Sequence, residues 1–261
     1  MTSEGCAPAA AAVGTACGRV ILSALFTRFK VLLTGGVMKR RVLAAFCLSL
    51  LLQGAARAQG APPFDPARVP AEGAGEGAFV PDGWKVAGRA EGDLDGDLRP
   101  DLALRLVPQG HDAEGVSAAP ESQALLVLLS AGGGRLRRAG LATKLLVTLA
   151  PQYVFDLKIS KGVLVVNQNY GMTQVADLTH RFRYDAAAGR FLLIGKDTFS
   201  YHRPQGPDWP AVKVSENYLT GVRLTTTERW RGEKPLKPSE SREQVGRARA
   251  FLEDVDEDPG N

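Results

Sequence analysis

Leu178-Thr179-His180-Arg181-Phe182-Arg183-Tyr184 alternates with period two, and Asp185-Ala186-Ala187-Ala188-Gly189 separates it from a second apolar-rich run, Arg190 to Ile194. Successive side chains of a strand point to opposite faces, so the first run places Leu178, His180, Phe182 and Tyr184 together on one face. The pair reads as a β-hairpin with one buried side. The same rhythm extends in both directions. Ala124–Ser130 and Arg135–Arg138 flank Gly132-Gly133-Gly134, Val154–Ile159 and Val163–Asn167 flank Ser160-Lys161-Gly162, and Val212–Tyr218 and Val222–Thr227 flank Leu219-Thr220-Gly221. Hairpin centres recur at roughly 25–35 residues, a propeller-like rhythm, but four hairpins are too few for a closed ring of four-stranded blades. The expected fold is mainly β, an antiparallel meander of hairpins, propeller-like or folded into a two-sheet sandwich. Only Glu240 to Val255 has helical spacing, with Ser241 and Gln244 placed as a capping box and Val245, Ala248, Leu252 and Val255 on one face, so a short C-terminal helix is expected.

Upstream of the hairpins, Asp93-Leu94-Asp95-Gly96-Asp97-Leu98-Arg99-Pro100-Asp101-Leu102 carries carboxylates at its first, third, fifth and ninth positions. Calcium takes six to eight oxygens at about 2.3–2.6 Å, and a tight turn with this spacing can wrap Asp93, Asp95, Asp97 and Asp101 round one point, with the Arg99 carbonyl as a further ligand. The stretch resembles the FG-GAP/VCBS type of repeat, close to Asp-x-Asp-Gly-Asp-Gly-x-x-Asp-Leu followed by an apolar strand, here Leu102 to Val107. More loosely, the Pro81 to Trp84 lead-in and the β-rich remainder are similar to small exported bacterial proteins with a single such motif. The resemblance implies calcium as cofactor. Leu98 stands where that family usually has glycine, which implies a weak site, because a positive φ costs a side-chain-bearing residue energy that glycine avoids. The EF-hand is a poorer match, since its bidentate Glu at position twelve is Leu104 here. The competing reading is a hydrated acidic β-turn with no metal role.

The N-terminal part reads as targeting sequence. Met38-Lys39-Arg40-Arg41 is a basic n-region, Val42 to Leu52 an apolar h-region and Ala56-Arg57-Ala58 a small-x-small cleavage site, so residues 38–58 are expected to be a signal peptide, and residues 1–37 an extension ahead of the true start at Met38. The h-region is shorter than a bilayer span, so no membrane span is expected after cleavage. The mature chain would begin at Gln59, in the periplasm or secreted. Of the 32 basic residues seven precede Gln59, as does one of the 28 acidic residues, which leaves 25 against 27 and a net charge of −2. The basic pI therefore gives no argument for nucleic acid, which requires a clustered basic footprint. All three cysteines, Cys6, Cys17 and Cys47, are also removed, leaving a domain that must rely on its core. Residues 59–78, rich in Pro, Gly and Ala, are expected to be a flexible linker, 79–230 the β-domain, and 231–261 a partly helical C-terminal segment.

Other candidate chemistry is sparse. His180 falls on an apolar face and reads as a hydrogen-bonded core residue. His111 and His202 lie beside Gly/Pro-rich loops with nothing at zinc-ligand spacing, and neither Gly-x-Ser-x-Gly nor His-Glu-x-x-His occurs. The polar stretch Asn167-Gln168-Asn169-Tyr170, read as leaving a buried strand for a loop ending at Gln174, offers amides beside a ring, as carbohydrate or peptide recognition uses; its amides could equally cap their own turns. Tyr201, Trp209 and Tyr218 could extend such a surface. The expected function is a non-catalytic binding or structural domain of a diderm envelope, its partner another envelope protein or a carbohydrate. The alternative is a periplasmic hydrolase assembled from dispersed residues such as Asp177, His180 and His202, which requires those groups to converge.

Overall fold

Two antiparallel sheets account for most of the computed structural model, which describes residues 63–111, 118–206, 208–232, 234–247 and 249–257. The expected signal peptide, the segment ahead of it and the three cysteines lie outside the described residues. The first sheet contains β1 (Glu72–Ala74), β2 (Trp84–Gly92), β3 (Asp101–Pro108), β4 (Ala124–Gly132) and β5 (Arg135–Ala142), in the order β1-β5-β4-β3-β2. The second is built from β6 (Val154–Ser160), β7 (Val163–Tyr170), β8 (Gln174–Asp185), β9 (Arg190–His202), β10 (Ala211–Asn217) and β11 (Val222–Glu228). A small ribbon follows, β12 (Trp230–Arg231) with β13 (Lys234–Pro235), and then β14 (Ser239–Gln244), which returns to the second sheet as its edge in the order β14-β11-β10-β9-β8-β7-β6. All four expected hairpins form, the first three with longer strands than their local pattern suggested and the fourth with its first strand shifted back by one residue. The arrangement is a sandwich of two sheets.

The alternating residues of the hairpins fill the space between the sheets. Ala103, Leu125, Val127 and Leu129 of the first sheet meet Leu164, Val166, Phe182, Phe191 and Leu193 of the second. β3 is buried at all eight positions because its other face is covered too: Leu102, Leu104 and Leu106 pack with Leu126, Leu128, Val69, Phe79 and Trp84. That second core corrects the linker expectation. Within residues 63–78, single 3-10 turns form at Pro66–Arg68 and Glu76–Phe79, and β1 pairs with β5 between them. The large apolar side chains that fix this segment, Phe64, Val69 and Phe79, are few but buried or packed against the core, and few suffice when each fills a site on a preformed sheet.

The expected C-terminal helix over Glu240 to Val255 is also corrected. Its first residues form β14, paired with β11, and among the described residues of this stretch the only helical turn is the 3-10 segment Leu252–Asp254. Leu252 and Val255 do reach the core, so their burial follows the apolar spacing although the backbone does not. β14, Ser-Glu-Ser-Arg-Glu-Gln, is exposed throughout, and charges on an edge strand discourage pairing with other chains. The β-domain thus continues past 230, to the end of the described residues.

One register row shows how the wider second sheet manages its overhang. Leu157, Val166, His180, Lys196, Glu216, Arg223 and Glu243 lie side by side across seven strands. The row is apolar where the first sheet covers it, then alternates in charge, with Arg223 bonded to Glu216 at 2.7 Å. Opposite charges at cross-strand positions favour this register over its neighbours.

Candidate metal centre

The pair Gly92/Asp101 closes the β2–β3 connection, so residues 93–100 form a short loop at one end of the sandwich. Asp101, the first residue of β3, is fully buried. Its Oδ2 accepts a hydrogen bond from the Leu94 N–H and its Oδ1 one from the Ser130 N–H of β4, both at 2.8 Å, which ties the loop to two strands. Leu94 itself is buried in the core between the sheets. The other carboxylates turn inward on the loop's own amides: Asp93 accepts from Gly96 N–H at 2.7 Å and Leu98 N–H at 3.1 Å, and Asp95 from Asp97 N–H at 3.2 Å. The tight path needs left-handed backbone at Gly96 (φ 86°) and at Leu98 (φ 65°). Leu98 adopts the conformation expected of the glycine it replaces at a cost of about 1–2 kcal/mol, and its side chain is 90% exposed, so packing does not repay that cost.

One carboxylate oxygen from each of Asp93, Asp95 and Asp101 lies within 4.8 Å of the others. Two oxygens on opposite sides of a calcium ion are about 4.6–5.2 Å apart, so the three can face a common ion without rebuilding the loop. Asp97, the fourth expected ligand, is engaged elsewhere: its Oδ2 accepts from Nε of Arg99 at 2.7 Å and is paired with Nη2 of the same guanidinium. Hydrogen bonds from the Arg99 side chain and backbone hold the Asp97 carboxyl below the usual range. Asp101 is shifted the other way. Burial raises it, the N–H groups of Ser130 and Leu94 oppose the rise, and the charges of Asp95 and Asp97 add to it.

The β6–β7 turn completes the surroundings. Gly92, Asp93 and Gly96 share a shallow depression of about 450 Å³ with Ile159, Lys161 and Gly162. Ser130 and Lys161 escaped sequence reasoning, since each comes from a different hairpin and only the fold brings them near the loop.

No family model, curated protein or solved structure matches this chain. The site must therefore be read from its own geometry.

The amide stretch is not the loop expected. Residues 167–170 belong to β7, and the connection to β8 is only 171–173. Strand alternation splits the four candidates. Gln168 is fully buried, with Oε1 accepting from Val147 N–H and Tyr153 O–H and Nε2 donating to Leu145 C=O, so these bonds hold it in a structural role. Tyr170 follows the same parity and is half-buried. Asn167 and Asn169 share the opposite face, where both donate to the carboxylate of Asp177. Nor are the residues of the hydrolase alternative brought together: Asp177 is held by these asparagines, His180 by Glu257 at 3.1 Å, and His202 stacks on Trp209 at 4.2 Å.

Proposed function

We propose that this chain is an exported, non-catalytic binding or structural β-domain, periplasmic or secreted, whose β2–β3 loop takes a calcium ion. The observation that carries the reading is the approach of oxygens from Asp93, Asp95 and Asp101 to within 4.8 Å of one another on a loop already wound round that point. Three carboxylates so close repel one another in plain water, and a divalent cation turns that repulsion into attraction. All-oxygen donors suit calcium or magnesium and not zinc or copper. The FG-GAP/VCBS resemblance of residues 93–102 points the same way, and the signal-like segment at 38–58 supports export.

Thermal unfolding of the chain from Gln59 onward, in metal-free buffer and with added calcium, tests this. A ligand bound only by the folded state stabilises it by about 2.7 kcal/mol at a hundredfold excess over its dissociation constant. Extracellular modules bind calcium near 10⁻⁴–10⁻³ M, and Leu98 places this loop at the weak end of that range. Millimolar calcium should raise the melting temperature, magnesium should raise it less, and Asp95→Ala should abolish the calcium effect. An unchanged wild-type melting temperature up to about 10 mM calcium, well above that affinity range, would show the loop to be an acidic turn.

A further inference from the structure

β10 and β11 pair from Ala211 with Glu228, so the connections 203–210 and 229–238 leave the second sheet at one end. It is the end away from the cation loop, which stands beside the β6–β7 turn. Residues 229–238 read Arg-Trp-Arg-Gly-Glu-Lys-Pro-Leu-Lys-Pro, four basic residues against Glu233. The ribbon pairs Trp230 with Pro235 and Arg231 with Lys234, and the Leu236 N–H donates to the Arg229 C=O at 2.8 Å. Residues opposite one another on paired strands, and residues two apart on one strand, share a face. Arg229, Arg231, Lys234 and Leu236 therefore share one, and all four are exposed. Arg231 and Lys234 are like charges directly opposite, an arrangement that destabilises a ribbon until a counter-charge answers it.

Among the described residues no carboxylate pairs with Arg229, Arg231, Lys234 or Lys237, nor with exposed Arg203 on the neighbouring connection. Arg203 donates to the Tyr201 hydroxyl at 2.8 Å and Arg229 to the Ser239 hydroxyl at 3.5 Å, both neutral partners. Elsewhere Arg89, Arg135, Arg181, Arg190 and Arg223 each meet an acid. Over 203–210 and 228–238 five basic residues stand against Asp208, Glu228 and Glu233, a net +2 in a chain that is −2 from Gln59 onward. Apolar side chains share this end. Trp209 is 53% exposed, Leu236 is exposed within the ribbon, and Met172 is 60% exposed on the β7–β8 connection, whose Thr173 C=O accepts from the Arg203 N–H at 2.7 Å. Unpaired cations among exposed apolar groups match a bilayer surface, where cations reach phosphates and indole and aliphatic groups enter the interface. A nucleic acid would use the cations and stack on Trp209, but offers nothing to Met172 or Leu236.

We propose that the 229–238 ribbon and the neighbouring 203–210 connection form a docking tip for a bilayer surface rich in anionic phospholipid. Arg203, Arg229, Arg231 and Lys234 meet the headgroup phosphates, and Trp209 and Leu236 enter the interface. The attachment is peripheral, for among the described residues no helix is long and apolar enough to cross a membrane. It stands apart from the calcium reading, whose loop lies at the other end of the strands.

Vesicle flotation in metal-free buffer tests this with the chain from Gln59 onward, which holds both sheets and lacks the apolar 42–52 run that would bind lipid by itself. The vesicles are phosphatidylcholine alone, or phosphatidylcholine mixed equally with phosphatidylglycerol. Binding is expected to the mixed vesicles only, and to weaken as salt screens it. Each basic residue near an anionic surface contributes about fivefold, so joint Arg231→Gln and Lys234→Gln should weaken binding about 25-fold. That variant loses a like-charge pair, so its melting temperature should be no lower than the wild type's. Arg135→Gln, at the other end of the domain, should change binding by less than about twofold, because screening confines the attraction to nearby charges. Leu236→Ser should weaken binding with its salt dependence unchanged. Of the three tryptophans Trp84 is buried, so quenching by bromine-labelled lipid reports on Trp209 and Trp230, and it is expected. No binding to the mixed vesicles, an equal loss in Arg135→Gln, or binding without quenching overturns the proposal. So does capture of a single-stranded oligonucleotide with the vesicles left unbound, which would make the tip a nucleic-acid surface.

Discussion

Gly92→Ala probes a close approach of the two sheets. A Cβ at Gly92 would sit 2.7 Å from Cγ2 and 3.2 Å from Cβ of Ile159 on β6, where carbon atoms normally approach to about 3.5–4.0 Å. Gly92 is a strand residue whose φ is not left-handed, so the obstacle is steric alone. Turning the Ile159 side chain moves Cγ2 but not Cβ, and β-branched rotamers are stiff, so β2 and β6 must part. Overpacking of this kind costs about 1–3 kcal/mol. Ile159→Ala removes Cγ2, and because Ile159 is only half-buried it should cost less than the 2–5 kcal/mol of a core truncation. In the double variant the added methyl occupies the space Ile159 vacated, so its destabilisation should fall short of the sum of the singles by about 1 kcal/mol or more. Urea unfolding of the four proteins in metal-free buffer, at unchanged m-value, measures the cycle. Additivity within about 0.5 kcal/mol would mean that a side chain at position 92 does not press on Ile159.

Two further outcomes can be checked on the same protein. Gln168→Leu should destabilise by about 3 kcal/mol or more in urea, since it strands the Val147 N–H, the Leu145 C=O and the Tyr153 O–H; a loss under about 1 kcal/mol would show that water replaces the amide. Burial alone would raise the Glu257 carboxyl, but the hydrogen bonds and charges of His180 and Lys196 outweigh it and hold the group below its ordinary value of 4.5. A depressed folded-state pKa gives stability that is present above 4.5 and lost as pH falls below it, so Glu257→Gln should flatten the acid side of the stability profile; equal slopes in variant and wild type would refute the pairing.

What the sequence reveals about the fold follows from where burial is one-sided. β8 shows its alternation because one face meets the core and the other does not, and the hairpin from 178 to 194 is legible from that alone. β3 and β4 are buried on both faces, so they read only as apolar runs. What covers their outer face begins at Phe64, within a stretch whose composition up to Ala78 is a linker's, and its packing depends on strands that come later in the chain, as the Phe64 N–H to Ser122 Oγ bond shows with its separation of 58. At the C-terminus, spacing placed Leu252 and Val255 in the core but could not separate helix from strand, because pairing with β11 decided it. Within the candidate site, carboxylate spacing singled out Asp93, Asp95, Asp97 and Asp101, of which the fold brings Asp93, Asp95 and Asp101 together. The capture of Asp97 by Arg99 was not foreseen, since two residues' separation within a turn says nothing of which way a guanidinium folds back.

Asp101 joins these two levels. As the first residue of β3 it is buried, and burying a carboxylate is expensive unless donors meet both oxygens. Leu94 N–H and Ser130 N–H do so, and these bonds tie the loop to β3 and β4. The same burial and the charges of Asp95 and Asp97 still push its carboxyl upward, so a residual electrostatic cost remains at neutral pH. A raised folded-state pKa means that this cost grows as pH rises through the group's titration and is constant above it. A divalent ion among the three oxygens would offset that cost together with the mutual repulsion of Asp93, Asp95 and Asp101. Calcium should therefore stiffen and stabilise a loop that is already folded, and its effect on stability should shrink as Asp101 is protonated.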